Sequence, residues 1–182
     1  MMETLKSITQ NTPILALGLF GSLLGTIISY IAPVFTRDVL CADEDFRLGN
    51  LGLCVFVHDG IGHFIGNMVF FIPSMLWLEK YSSIHNSSFL LICFIGFAIF
   101  DGLQSLFRGT AGCGISGVAF MFVAIALTYA GSWILRVLLV VLFVAGRGYD
   151  ADSARVDGFI HNVGFIVGAI IGTAYWFIVY RG

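Results

Sequence analysis

The chain has 182 residues, of which 58% are hydrophobic and 11% are charged, with a formal net charge of −2. Its mean hydropathy of +0.95 lies far above that of soluble domains, so we expect an integral membrane protein. No run of Lys or Arg is longer than one residue. This pattern excludes nucleic acid as a partner, because a phosphate backbone requires a basic surface.

Apolar stretches recur along the chain, near the length of about 20 residues that a helix needs to cross about 30 Å of hydrocarbon. They predict an all-α polytopic fold, a single membrane domain over residues 1–182 with six transmembrane helices. The predicted spans are 13–35, 63–81, 88–107, 115–131, 132–146 and 158–180. The fifth is short and directly follows the fourth, so five spans remain the alternative. The first is too long for a removable signal peptide and lacks its small-residue cleavage pattern.

A long first loop connects the first two predicted spans. It begins with the acidic "CADEDFR" and continues as "LGNLGLCVFVHDGIG", which is apolar, broken by glycines and too short to span. These features predict a loop lying partly within the membrane beside the helices. Cys41 and Cys54 share this loop, and the sequence leaves open whether they pair. The balance of Lys and Arg between the two sides does not settle the orientation.

The sequence predicts no metal or cofactor. The cysteines show no CxxC spacing. His58, Asp59 and His63 lack the HExxH spacing of helical zinc proteases, and no third ligand is evident. At the end of the third predicted span, Asp101, Gln104 and Arg108 are interpreted as structural groups that pair with one another or with neighbours.

Four polar residues stand near the starts of the even-numbered spans: His63, Asn67, Ser116 and His161. Placing a polar side chain within the membrane costs free energy, so its presence there indicates a structural or functional role. Even-numbered spans run in the same direction, so their first turns lie on the same side at similar depth. His63 and Asn67 are four residues apart, which places them on one helical face.

Glycines surround two of these positions. Gly114 and Gly117 bracket Ser116, while His161 precedes a stripe of the GxxxG type at Gly164, Gly168 and Gly172, which lets a neighbouring helix approach closely. Each feature alone has an ordinary structural explanation, as a helix cap, a polar contact or a packing motif. Together they supply a nucleophile, a base and two hydrogen-bond donors, the groups that acyl transfer requires.

At these residues the chain resembles the rhomboid family of intramembrane serine proteases. "HDGIGHFIGN" contains His58, His63 and Asn67 at the spacing of the family's second helix, "GISG" is its GxSG motif, and "HNVGFIVG" matches its sixth helix. The aromatic residue four positions after the serine, often Tyr in the family, is Phe120. The family's common Trp-Arg pair of the first loop is represented by Phe46-Arg47.

The resemblance implies a six-helix rhomboid-like bundle with a Ser116–His161 dyad that cleaves transmembrane segments of other membrane proteins. It implies a multi-pass protein in the lipid bilayer of a prokaryotic cell membrane, acting without metal or cofactor. The implied oxyanion hole combines the backbone N–H groups of Ser116 and Ile115 with the side chains of Asn67 and His63. The implied supporting residues are Gly114, Gly117, Phe120, Gly164, Gly168 and His58.

Two other functions stay open at this point. A catalytically silent rhomboid-like protein would bind membrane clients, although such relatives typically lack the serine or the histidine. A small transporter or channel would use the same polar cluster for permeation, and it would favour ionisable residues deeper in the spans.

Overall fold

The computed structural model is all-helical and describes residues 12–81, 87–109, 111–129 and 158–181, with isolated positions between 134 and 144. No strand forms within these ranges. The long helices are α1 (Pro13–Ile31), α2 (Ile61–Leu76), α3 (Ser87–Arg108), α4 (Ser116–Tyr129) and α5 (Gly158–Arg181). A wider π-helical turn, Trp77–Tyr81, continues α2.

Four helical segments are long and apolar enough to cross a membrane: Pro13–Ile31, Ile61–Lys80, Ser87–Arg108 and Gly158–Ile178. Large apolar side chains also cover their outer surfaces, and Ile31, Ile92 and Phe107 are each at least 70% exposed. An apolar exterior of this kind is unfavourable in water. Both observations are compatible with the integral membrane protein that the composition predicts.

The described part of the central helix α4, Ser116–Tyr129, falls within the predicted span 115–131. Neighbouring helices bury it almost completely. An apolar helix covered in this way is typical of the interior of a helical bundle. The predicted span 132–146 lies largely outside the described residues. The helical, exposed positions described there are Ile134, Val137, Val140, Val141 and Val144.

The first helix ends earlier than the predicted boundary at residue 35. Its last backbone bond is donated by Ala32 to the carbonyl of Ile28. Ala32 leaves helical geometry at φ −134° because the ring of Pro33 disfavours the α conformation in the preceding residue. The chain then continues through the short turns Pro33–Phe35 and Thr36–Leu40.

The first loop is folded onto α3 rather than extended. The fully buried side chain of Asn50 donates to the carbonyls of Asp43 and Gly102, each at 3.0 Å. The guanidinium of Arg47 donates to the carbonyl of Arg37 at 2.8 Å and lies 3.2 Å from the carboxylate of Asp43. These bonds fix the loop against the C-terminal part of α3.

A glycine stripe on α5 sets its distance from α4. A Cβ on Gly164 would collide with the carbonyl oxygen of Gly117, and one on Gly168 would collide with that of Met121. The contacts advance by four residues on each helix in the same chain direction, so the two helices run parallel. Their N-terminal ends therefore meet at the same end of the bundle.

Candidate active site

A cavity of about 580 Å³ opens at the end of the bundle where α2, α4 and α5 begin. Its wall combines the first loop, the segment before α4 and the first turns of these helices. The lining side chains with polar or ionisable groups are Ser29, Thr36, Arg37, Cys41, His58, Asp59, His63, Asp101, Gln104, Cys113, Ser116 and His161. Polar side chains are therefore concentrated at this cavity in an otherwise apolar molecule.

Ser116 is the first residue of α4 and is 9% exposed. Gly114, two residues earlier, has φ +102°, a left-handed conformation that favours glycine. Its N–H donates to the carbonyl of Cys54 at 3.0 Å, which ties the turn to the first loop. The N–H of Ser116 belongs to a first turn, where backbone donors have no intrahelical acceptor and the helix dipole is positive.

His161 lies in the first turn of α5, is 4% exposed and lines the same cavity as Ser116. Its ring stacks on Phe120 with centroids 4.6 Å apart at 37°. Phe120 follows Ser116 by one helical turn, so the stacking holds the imidazole against the face of α4 that carries the serine. The close α4–α5 contact at Gly164, three residues later, supports this placement.

His63 and Asn67, one turn apart on α2, converge on the backbone before Ser116. A Cβ on Gly114 would lie 2.9 Å from His63 Nε2 and 3.0 Å from Asn67 Nδ2. The amide nitrogen of Asn67 is buried and has no hydrogen-bond partner among the described residues. Leaving a buried donor unpaired costs about 1–3 kcal/mol. Such a group in a native protein calls for an explanation, and an anion bound at this point would provide one.

His58 supports His63 from the first loop. It is fully buried, its Nδ1 donates to the carbonyl of Phe56 at 3.2 Å, and its ring meets that of His63 edge-on, with centroids 5.2 Å apart. Burial, together with the neighbouring His63, lowers the pKa of His58 to about 4. His58 is therefore neutral at pH 7 and presents a fixed tautomer to its neighbour.

The structure brings to the cavity Asp101 and Gln104, which the sequence assigns to structural pairing. Asp101 is 5% exposed and lines the cavity. Its Oδ2 would lie 3.1 Å from a Cβ on Gly117, beside Ser116. The sequence signal was present, because an ionisable group on an apolar helix marks functional positions. Gln104 does pair as expected, accepting a bond from Arg108 at 3.1 Å.

Not every predicted site residue lines the cavity. Asn67 is buried behind the wall that Gly114 forms, and Gly117 and Phe120 also lie outside the lining. Gly164 and Gly168 form the α4–α5 contact instead, and Ile115 is fully buried in the turn before α4. Within the part of the chain that the structure describes, no three His, Cys, Asp or Glu side chains are grouped to hold a metal ion.

No protein-family model matches the chain, and comparisons with curated proteins and with solved structures return no match. The functional argument therefore depends on the geometry of the cavity. That geometry combines a helix-terminal serine, a histidine on the adjacent helix, and two side-chain nitrogens directed at the same turn.

Proposed function

We propose that this protein is an intramembrane serine protease of the rhomboid type, in which Ser116 and His161 cleave peptide bonds in or near transmembrane segments of other membrane proteins. The proposal includes a six-span arrangement with the fifth span at 132–146. One observation carries it: the nitrogens of His63 and Asn67 meet at Gly114, two residues before Ser116. Two donors beside a potential nucleophile are what a tetrahedral intermediate needs.

In this mechanism His161 is the general base and then the general acid. It accepts the proton of Ser116 Oγ while that oxygen attacks the carbonyl carbon of the scissile bond, and it then protonates the leaving amine. Water next attacks the acyl-enzyme, with His161 accepting its proton and returning one to Ser116. Phe120 keeps the imidazole in place through both steps by stacking on its face.

Negative charge develops on the carbonyl oxygen during each attack. The donors for it are the N–H groups of Ser116 and Ile115 and the side chains of His63 and Asn67, helped by the positive end of α4. Each well-placed donor contributes about 3 kcal/mol, or about two orders of magnitude in rate. His58 holds the His63 ring through their edge-to-face contact.

The depth of the site suits a substrate that arrives through lipid. Ser116 begins an apolar helix, and the cavity that it lines lies where α2, α4 and α5 all start. The polar cavity at the Ser116 end supplies the water that hydrolysis consumes. A substrate helix that unwinds locally near the surface exposes its backbone to Ser116.

The test is labelling of purified, detergent-solubilised protein with a fluorophosphonate, which phosphonylates activated serines. We expect labelling of the wild type and none of Ser116→Ala or His161→Ala. Ser74→Ala is the matched control. Ser74 is a buried helical serine whose hydroxyl, among the described residues, bonds only to backbone carbonyls of its own helix. The wild type and Ser74→Ala should also cleave a reconstituted membrane-protein substrate, whereas Ser116→Ala and His161→Ala should not.

Two outcomes contradict the proposal. Equal labelling of the wild type and Ser116→Ala would remove Ser116 as the nucleophile. Absence of labelling and cleavage in folded wild-type protein would instead favour a client-binding or permeation function for the same cavity.

A further inference from the structure

The first loop and the segment before α4 are joined by a short antiparallel pairing. Ala42 donates to the carbonyl of Gly112 at 3.1 Å, and Gly112 donates to the carbonyl of Ala42 at 3.0 Å. When two residues exchange both bonds, their neighbours form a pair without hydrogen bonds, with Cα atoms about 4.5 Å apart. Cys41 and Cys113 are those neighbours. The spacing falls within the range of about 4.4–6.8 Å that a disulfide requires.

Both residues also line the cavity wall, where they are partly exposed. The thiol of Cys113 donates a hydrogen bond to the sulfur of Cys41, which lowers the pKa of Cys41 and raises that of Cys113. Cys41 is therefore the first of the two to ionise. By contrast, Cys54 is 1% exposed, and burial raises the pKa of its thiol.

We propose that Cys41 and Cys113 are a redox modification site, at which a reversible disulfide ties the first loop to the segment that leads into Ser116. The sequence had left open a pairing of Cys41 with Cys54, whereas the tertiary structure sets Cys113 opposite Cys41. The oxidant is a small-molecule disulfide such as oxidised glutathione.

The exchange proceeds in two balanced steps. The Cys41 thiolate attacks one sulfur of oxidised glutathione, forming a mixed disulfide and releasing one glutathione thiolate. Cys113, after losing its proton to solvent, attacks the Cys41 sulfur and releases the second. Two protein thiols are oxidised, one external disulfide is reduced to two thiols, and the two protons pass to the released glutathiones.

The chain makes this linkage easy to assign. Arg37, Arg47, Lys80, Arg108 and Arg136 divide the sequence so that trypsin releases each cysteine in a separate peptide. Cys41 falls in residues 38–47 and Cys113 in residues 109–136, while Cys54 falls in residues 48–80.

The experiment treats detergent-purified protein with oxidised glutathione, blocks the remaining thiols, digests the unfolded chain and identifies linked peptides by mass. We expect peptides 38–47 and 109–136 joined, separated again by dithiothreitol, and a higher Tm for the oxidised protein. Cys93→Ser is the matched control and should keep the linkage, whereas Cys41→Ser should lose it.

Linkage of peptide 38–47 to 48–80, linkage only between separate chains, or four unmodified thiols in folded wild-type protein would overturn the proposal. The mapping does not depend on the proposed protease function, because it can be repeated in Ser116→Ala with the same expected linkage. Failure of one proposal therefore leaves the other unaffected.

Discussion

The side chain of Asn67 packs directly against the backbone of Gly114. The side-chain nitrogen of Asn67 lies 3.0 Å from the point that a Cβ on Gly114 would occupy. The absence of that Cβ leaves the donor facing a backbone turn, and the amide has no acceptor within the described ranges. The Asn67 amide can therefore donate a hydrogen bond to an acceptor on a bound molecule.

We therefore predict that Asn67→Leu separates activity from stability. Removing one oxyanion donor should slow fluorophosphonate labelling and substrate cleavage about a hundredfold. Because the mutation also removes an unpaired buried donor, Tm in detergent should stay level or rise. Labelling kinetics and thermal unfolding of the same preparation measure both effects.

Asn50→Leu is the matched control for this prediction. Asn50 is also a buried amide, but it accepts a bond from Arg47 and donates to Asp43 and Gly102. Its replacement leaves those groups unpaired and should lower Tm clearly. Similar losses of Tm in the two variants would mean that Asn67 is a structural amide.

The glycine stripe of α5 gives a second prediction. A Cβ on Gly168 would lie 2.9 Å from Ala124 Cβ and would collide with the Met121 carbonyl, so Gly168→Ala must push α5 away from α4. We expect a lower Tm and weaker labelling of Ser116. Gly96→Ala is the control, because a Cβ on Gly96, inside α3, would have no atom within 4 Å among the described residues. This substitution should be neutral or stabilising by up to about 1 kcal/mol. Equal responses of both variants would refute the close contact.

His58 gives a prediction about pH. Its pKa is about 4 in the folded protein and about 6.5 when unfolded. Below pH 6.5 the unfolded chain therefore binds a proton that the folded one does not, and stability falls as pH decreases. The loss in the free energy of unfolding that His58 causes approaches about 3 kcal/mol near pH 4. His58→Gln should flatten the loss of Tm between pH 7.5 and 5, and parallel curves for both proteins would contradict this assignment.

Glu79 predicts a stabilising contact between the start of α1 and the end of α2. Its buried carboxylate accepts bonds from the N–H groups of Ile14 and Leu15, at 2.8 and 3.0 Å. Removing such a helix cap costs about 1–2 kcal/mol. Glu79→Ala should lower Tm accordingly, while the exposed Glu44→Ala should leave it unchanged. An unchanged Tm for both would rule out the cap.

Apolar stretches predicted the long helices well, because hydropathy over some 20 residues depends on local composition alone. The end of α1 near Pro33 and the burial of α4 were harder to predict. The first depends on the backbone conformation of one residue, and the second depends on how the other helices pack around α4. The candidate nucleophile and base were identified from glycines and polar residues at the starts of predicted helices, and they do line one cavity.

The sequence by itself determined which segments are apolar helices and which polar groups stand at their ends, since both follow from the order of residues along the chain. Only the tertiary structure decided which groups face one another. It set Cys113 rather than Cys54 against Cys41, brought Asp101 to the cavity wall and left the Asn67 amide without a partner in the described chain. These relationships join residues far apart in sequence, and their distances depend on how helices pack rather than on local spacing.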